Sequence, residues 1–309
     1  MRITILGSSA GGGFPQWNCN CANCRAVRAG APGFSARTQS SLAVSADGEN
    51  WLLLNASPDL RQQIAATPQL APPIGAGARA SPIKAVALTN GDVDHIAGLL
   101  TLREAQPFSV YASRRVLDAL GANRIFDILA PNLVARIELP LGEPRRIEGA
   151  GVDLGLAVEA FAAPGKVALY LEDAGAADFG TQAGDTLGLR IVETATGDAF
   201  FYVPGCARID EALARRLKGA ALVFFDGTLW HESEMIEQGL MSKTGSRMGH
   251  VNISGPDGSI ASFANLEVAR KIFVHINNSN PVLDAASKQR AAANAAGWEI
   301  GWDGMEVTL

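Results

Sequence analysis

The sequence has 309 residues, is 48% hydrophobic and carries a formal net charge of −5 at pH 7. These values predict a water-soluble chain with a large buried core, and the acidic balance disfavours binding to a nucleic-acid backbone. No apolar run approaches the roughly 18 residues of a transmembrane helix, and the apolar start is too short for a secretory signal, so we expect a cytoplasmic protein.

The first predicted elements are a strand over residues 2–6 and a glycine-rich turn after it. No Gly-Lys-Ser/Thr follows, and the glycine spacing is not that of a dinucleotide fingerprint. We therefore interpret the glycines as a tight turn rather than a phosphate loop. Residues 40–46 and 51–54 predict a hairpin around Asp47-Gly48, and a helix is expected to begin near Pro58.

Three of the four cysteines lie within six residues, at Cys19, Cys21 and Cys24. Disulfides between neighbours at this spacing would be strained, and a reducing compartment disfavours them. The cluster predicts a zinc-binding loop over about residues 17–25, with three unligated surface thiols as the alternative. A tetrahedral zinc needs a fourth ligand, which the local sequence does not offer.

Residues 89–98 follow an apolar strand at 85–88 and precede a helical pattern that extends to about residue 105. Side chains in the turn after such a strand lie at the sheet edge where α/β folds bind ligands. Asp94 and His95 occupy this turn and are therefore candidate functional residues.

Short strands and helices alternate through the rest of the chain. Predicted strands cover residues 108–111, 134–139, 152–162, 186–194, 200–203, 220–225, 271–275 and 304–309, and predicted helices cover 114–120, 209–217, 257–269 and a stretch ending near 296. The long polar segment at about 229–254 is a candidate lid or substrate loop. Strand runs with attached helices in both halves predict one α/β domain, residues 1–309, built as a four-layer αββα sandwich.

Two of the four histidines follow predicted strands, His95 and His275. A single histidine is more often structural than a ligand. With Asp94, however, the two imidazoles would make a three-ligand set that leaves metal positions open, which suits a non-haem iron(II) site for dioxygen or substrate. Zinc hydrolysis is the rival use of such a set.

The stretch from Asn90 to His95 resembles the HxHxDH motif of the metallo-β-lactamase superfamily, with Asn90 and Asp92 in place of the first two histidines. Further strings occur in the order found in one family of that superfamily. They are Cys-x-Cys-x-x-Cys at 19–24, Phe-Asp-Gly-Thr-Leu-Trp at 225–230, Met-Gly-His at 248–250 and Val-His-Ile-Asn-Asn at 274–278. The chain thus resembles the coenzyme PQQ synthesis protein B family, and the resemblance implies the metallo-β-lactamase sandwich.

The departures from the superfamily motif concern its first metal. Asn90 and Asp92 replace two histidines, and residues 110–230 contain no histidine that could complete that site. Only the ligands of the second metal site are present, as Asp94, His95 and His275. The loss of the first site argues against lactamase, phosphodiesterase or nuclease activity. We expect a mononuclear centre, with Asn90 and Asp92 supporting the ligands from outside the coordination sphere.

For the family, the resemblance implies a role in making pyrroloquinoline quinone from a cross-linked glutamate-tyrosine precursor. One description is a hydroxylase of the tyrosine-derived ring with an active-site divalent metal, Fe²⁺, and molecular oxygen as co-substrate. The other is a carrier that moves the quinone or its precursor toward the periplasm. The residues favour the hydroxylase, and a homodimer is left open.

Residues in the second half are assigned roles on this basis. His250 is the candidate base or substrate hydrogen-bond donor and Asp226 a carboxylate near the metal, although His250 could instead cap a helix and Asp226 shape a turn. Lys243 and Arg247 could pair with substrate carboxylates or simply be solvated. His231 is expected at the surface.

The resemblance also bears on the fourth zinc ligand. Related members with the same cysteine cluster use a histidine just beyond the last active-site histidine, and here Asn278 occupies that place. Asn278, a neighbour or water is the candidate donor. A zinc-binding loop whose ion is also held by this turn would help to fix the position of His275.

Overall fold

The computed structural model describes residues 1–309 and contains fourteen strands in two seven-stranded mixed sheets. The strands are β1 (Arg2–Gly7), β2 (Ser41–Ser45), β3 (Trp51–Leu54), β4 (Ile83–Ala87), β5 (Phe108–Ala112), β6 (Val134–Glu138), β7 (Pro144–Gly149), β8 (Val152–Ala162), β9 (Leu187–Glu193), β10 (Ala199–Val203), β11 (Leu222–Asp226), β12 (Arg270–Val274), β13 (Trp298–Ile300) and β14 (Glu306–Thr308). Their order is β14-β1-β2-β3-β4-β5-β6 in the first sheet and β13-β12-β11-β10-β9-β8-β7 in the second. The chain therefore builds one sheet mainly from its first half and the other from its second.

Nine α-helices accompany the sheets. They are α1 (Ala22–Arg28), α2 (Leu60–Ala66), α3 (Val93–Ile96), α4 (Arg114–Ala122), α5 (Glu211–Leu217), α6 (Glu234–Glu237), α7 (Gly245–Met248), α8 (Ser259–Ser262) and α9 (Lys288–Ala295). Short 3-10 segments cover Pro68–Leu70, Ala97–Leu102, Arg124–Ile128, Leu169–Leu171, Ala177–Gly180 and Pro281–Leu283. No helix reaches the length and apolar character that a membrane crossing requires.

Three hydrophobic cores define the layers. One lies between the two sheets and includes Leu54 and Phe224. A second covers the outer face of the first sheet, where α2 and α4 contribute Leu60 and Val116. The third covers the outer face of the second sheet, where α5 contributes Leu213, and it also includes residues of α1 and α9. The order helix, sheet, sheet, helix confirms the predicted four-layer αββα sandwich.

Parallel pairing brings the functional turns to one edge. Strands β3, β4, β5 and β6 are parallel neighbours, as are β10, β11, β12 and β13. In such sheets the turns that follow the strands lie side by side. The turns after β4, β11 and β12 carry the candidate metal and catalytic residues.

Two predicted helices are shorter than expected. The pattern over 95–105 forms only α3 and a 3-10 segment, because the backbone N–H of Gly98 donates to the carbonyl oxygen of Ala56 at 2.9 Å instead of continuing the helix. The pattern over 257–269 forms only α8. Beyond it, the carbonyl of Leu266 accepts a hydrogen bond from Gly219, and Glu267 adopts a positive φ of 54°, so the helix cannot continue.

Candidate metal centre and its pocket

The two halves of the sequence meet at Asp94 and His275. Oδ2 of Asp94 lies 3.2 Å from Nε2 of His275 and 4.0 Å from Nε2 of His95. One donor atom from each of the three residues lies within 4.8 Å of the others, close enough to share a metal ion. The structure thus brings His275 next to Asp94 and His95, from which it is separated by about 180 positions in the sequence.

The ring of His95 is held by its Nδ1 atom. Nδ1 lies 2.7 Å from the side-chain oxygen of Asn90 and 3.3 Å from the hydroxyl of Thr89. Because an amide oxygen can only accept, Nδ1 carries the proton and Nε2 the lone pair. Nε2 is buried and has no hydrogen-bond partner in the protein. A buried acceptor without a partner is costly, and a metal ion beside Asp94 would satisfy it.

His275 is oriented in the same way by Thr228. Its Nδ1 lies 2.9 Å from the Thr228 hydroxyl, which can accept this proton and donate its own to Asp226 Oδ1 at 2.6 Å. Nε2 of His275 is thereby directed to Asp94. The backbone of His275 has φ 55°, an uncommon value for histidine, and its neighbour Ile276 is fixed by a bridge to Ser9.

The protein's own charges prepare this set for a cation. Burial opposes the charged form of Asp94, but the two histidines outweigh burial and hold its pKa below the usual range. Burial lowers the pKa of His95 to about 4, so its imidazole is neutral near pH 7. Burial acts in the same sense on His275, but its hydrogen bond to Asp94 raises the pKa of that imidazole. A metal would compete for that Nε2 proton.

His250 and Asp226 form a second pair next to the first set. Nδ1 of His250 lies 2.7 Å from Oδ2 of Asp226, and its ring stacks on that of His275 with centroids 5.1 Å apart. Asp226 is fully buried and also accepts the backbone N–H groups of Cys206 and Thr228, at 2.9 and 3.0 Å. Asp226, His250 and His275 offer a further set of donors within 4.8 Å of one another. Because these hydrogen bonds already occupy Asp226, the carboxylate is better placed to orient His250.

The first half of the HxHxDH-like stretch offers no imidazole to a second metal. Asn90 binds His95, and its side-chain oxygen also accepts the backbone N–H of Asp92 at 3.0 Å. The Asp92 carboxylate lines the pocket 4.0 Å from Nζ of Lys166. Burial raises the pKa of Asp92, and the charge of Lys166 opposes that rise.

The three clustered cysteines face Asn278 across the N-terminal loop. All three thiols are buried, and their sulfurs can share a metal ion. The side-chain nitrogen of Asn278 lies 3.0 Å from the sulfur of Cys19 and 3.3 Å from that of Cys24. Its distance to the sulfur of Cys21 is 3.7 Å. The amide end therefore caps the open side of the cluster, and a rotation of the amide would present its oxygen instead.

Burial shapes the acidity of these thiols. It raises the pKa of Cys21 to about 12, and the neighbouring thiols add to that effect. In Cys19, hydrogen bonds from the neighbouring groups outweigh burial and lower the pKa. A bound cation would stabilise all three as thiolates, which are the form that binds zinc.

One pocket of about 440 Å³ contains the Asp94 set and extends to the cysteine loop. Five stretches of the chain line it, and the lining residues are Ala10, Gly11, Gln16, Asn18, Cys19, Asn20, Asn90, Asp92, Asp94, His95, Lys166, Leu169, Thr228, Met235, Leu240, Met241, Lys243, Met248, His250, His275, Asn277 and Asn278. The segment 229–254 supplies six of these residues. An isolated β-bridge between Leu229 and Asn252 joins its two ends. It contains the short helices α6 and α7 rather than an extended loop.

Other residues named from the sequence lie outside the pocket. His231 is at the surface, 3.5 Å from a carboxylate oxygen of Glu237, as expected. Arg247 binds Glu172 with two hydrogen bonds of 3.1 and 2.9 Å and stacks on Phe179, so its guanidinium group is already paired within the protein.

Sequence reasoning missed two residues. Lys166 enters the pocket from the loop after β8, and no local pattern marks it. Thr228 links Asp226, His250 and His275 through its hydroxyl group. Its place two residues after Asp226, at the end of a strand, was the only available signal.

Comparisons with known proteins agree with the fold and the strings of residues. A beta-lactamase superfamily domain matches residues 50–276. Coenzyme PQQ synthesis protein B from Xanthomonas oryzae pv. oryzae is 53% identical over 310 residues, and the same-named protein from Methylobacterium sp. is 54% identical over 309, each with complete coverage of both chains.

Solved structures also resemble this chain over its full length. The crystal structure of Zn²⁺-bound PqqB from Methylobacterium extorquens is 50% identical, covers 100% of both chains and has a TM-score of 0.92. A diphosphatase from the PhnP family shares the fold with a TM-score of 0.68 at 19% identity, over 100% of this chain and 97% of its own.

Proposed function

The chain belongs to the coenzyme PQQ synthesis protein B family within the beta-lactamase superfamily, and on this premise we propose that it hydroxylates a tyrosine-derived ring of the pyrroloquinoline quinone precursor. Asp94, His95 and His275 would hold a single Fe²⁺ ion. The small-molecule precursor would occupy the pocket around them.

The observation that supports this proposal most strongly is the donor set itself. One carboxylate and two imidazoles, with the buried Nε2 of His95 lacking any other partner, fit the ligand pattern of non-haem iron(II) oxygenases. Asn90, which stands where a dinuclear hydrolase has a histidine, instead fixes His95 by a 2.7 Å hydrogen bond. The arrangement therefore favours one ion with open positions over a hydrolytic pair.

A ferrous ion in this set would supply the redox chemistry that activates dioxygen. Placing one oxygen atom in a ring C–H bond converts the other to water, which requires two electrons from an external reductant such as ascorbate. The protein's part is to bind and orient the ring and to manage the phenolic proton.

His250 is suited to accept that proton. Its Nδ1–H is held by Asp226 at 2.7 Å, so Nε2 carries the lone pair and has no protein partner. The imidazolium that forms would be stabilised by the buried carboxylate, which keeps two backbone N–H donors of its own. Asp226 thus acts through His250 rather than on the substrate.

We assign a structural zinc to Cys19, Cys21 and Cys24, with the side chain of Asn278 at the fourth position. Contacts of 3.0–3.7 Å between its amide and the three sulfurs suit the corner of a tetrahedral site. Asn278 follows His275 by three residues, so this ion would anchor the turn that carries an active-site ligand.

The proposal is tested by loading the protein with Fe²⁺ without oxygen and then adding dioxygen, ascorbate and dihydrocaffeate, a catechol with a carboxylated side chain. Mass spectrometry with heavy-isotope dioxygen should show one labelled oxygen atom in the product. Zinc in the active site should give no product, because zinc has no redox chemistry.

His275→Ala separates this function from a carrier role. A hydroxylase should lose the active-site metal, and with it the turnover. A carrier would bind pyrroloquinoline quinone almost unchanged in this variant and would give no labelled product in either protein.

A further inference from the structure

Lys243 is a cation in the pocket without a carboxylate partner. It lines the cavity from the loop between α6 and α7 and is half-buried. No acidic oxygen lies within 4.0 Å of its ammonium group, and its side chain makes no hydrogen bond in the protein. It approaches Glu172 only closely enough to help lower the pKa of that carboxyl.

The other cations near the pocket are neutralised. Nζ of Lys166 lies 3.8 Å from a carboxylate oxygen of Glu172 and 4.0 Å from one of Asp92, and it donates a hydrogen bond to the carbonyl of Val167. Arg247 is held in its two hydrogen bonds to Glu172. Lys243 is therefore the pocket cation that remains available to a ligand.

Apolar, adaptable side chains come from the same segment as Lys243. Three of the chain's five methionines line this pocket, Met235, Met241 and Met248, together with Leu240. Methionine is flexible and polarizable and makes favourable contacts with aromatic rings. A planar ring is the ligand shape that such a surface accepts best.

The charge balance of the pocket adds a preference for anions. Apart from histidines, its charged lining consists of Asp92, Asp94, Lys166 and Lys243, which cancel. A divalent ion at Asp94 would leave a net positive pocket. An aromatic ligand with a negative group away from its hydroxyls would be favoured over an uncharged analogue.

We propose that Lys243 is a specificity-determining residue that binds a carboxylate of the aromatic substrate while the methionines contact its ring. The inference rests on the proposed function, because it assumes that a catechol-like ring occupies the metal pocket. It defines the substrate class as aromatic carboxylates.

Binding without turnover tests this assignment. The zinc-loaded protein, kept anaerobic, is titrated by calorimetry with dihydrocaffeate and with ethylcatechol, which differ only in the carboxylate. A charged hydrogen bond should make dihydrocaffeate bind the wild type about ten- to hundred-fold more tightly. Lys243→Met should abolish the difference by weakening dihydrocaffeate alone, and Lys243→Arg should keep most of it.

Lys218→Ala is the matched control, because Lys218 is an exposed lysine that follows α5 and precedes β11, at the end of the sheet opposite the metal set. It should bind both ligands as the wild type does. Metal content and Tm establish that each variant is folded.

Three results would overturn the assignment. Lys243→Met could discriminate like the wild type, or the wild type could bind both catechols equally. If hydroxylation persists in either case, the proposed function stands and only the role of Lys243 falls. If neither catechol binds the wild type, both proposals fall together.

Discussion

Nδ1 of His95 lies 2.7 Å from the side-chain oxygen of Asn90, the residue in the place of the first histidine of the HxHxDH motif. In this chain that position does not offer a metal ligand. Asn90 instead fixes the tautomer of His95 that leaves Nε2 free for a metal, so it would support the proposed site from outside the coordination sphere.

Asn90→Ala should therefore weaken Fe²⁺ binding about 10- to 100-fold, because the His95 ring loses its orienting acceptor. Asn90→Asp keeps an oxygen at this position and should retain affinity. Anaerobic titration with Fe²⁺ measures both. An unchanged affinity in Asn90→Ala would show that Asn90 does not support the site.

Asp226→Asn should lower kcat by about 10²- to 10⁴-fold, the range found for general acid–base groups, because the amide cannot stabilise a charged His250. His250→Asn should have a similar effect, and the double variant should be little worse than either. Fe²⁺ content should be unchanged in each variant, so that the loss in kcat reports the proton transfer and not the loss of the metal. Additive losses would place the two residues in separate roles.

Cys24→Ser should remove one zinc per chain and also weaken Fe²⁺ binding at Asp94, His95 and His275, because the turn from His275 to Asn278 loses its anchor. Asn278→His should hold zinc more tightly than the wild type. Cys206→Ala is the control, since Cys206 is a buried thiol outside the cluster. Metal analysis after dialysis against a chelator reports both ions. Unchanged Fe²⁺ affinity in zinc-free Cys24→Ser would show that the zinc-binding loop and the active site are independent.

The ion pair of Glu172 and Arg247 should make stability depend on acid pH. Hydrogen bonds from Arg247 lower the pKa of Glu172 below 4.5 against a smaller effect of burial. A lowered folded-state pKa contributes stability that is complete above the unfolded-state pKa, and the contribution is lost as the pH falls toward and through the lowered value. Glu172→Gln should lower Tm at pH 7 and lose less Tm than the wild type on acidification. Equal acid sensitivity in both proteins would contradict the assignment.

Much of the fold followed from local patterns. The alternating or continuous apolar runs of β2, β8 and β11 marked these strands, since their positions in buried sheets require such residues. Strand β7 was missed because four of its six residues are exposed, which leaves no apolar signal. Helix α1 was missed because the cysteines that it carries were interpreted only as ligands.

Some residues of the candidate site could also be predicted from the sequence, and others could not. The sequence singled out Asp94, His95 and His275, which the structure brings together, because each follows a strand and has chemistry of its own. Lys166 and Thr228 were not, because their importance comes from neighbours that only the folded chain supplies: Glu172 for the lysine and His275 for the threonine. Sequence patterns identify donors, whereas the groups that orient or neutralise them depend on tertiary contacts.

The central claim, one redox-active ion on three ligands, is tested most directly by anomalous diffraction at the iron edge from crystals loaded anaerobically with Fe²⁺. The account predicts a single iron peak in the active site, bonded to Asp94, His95 and His275. A pair of ions, with one bound at Asn90 and Asp92, or a lone iron away from His275 would contradict it.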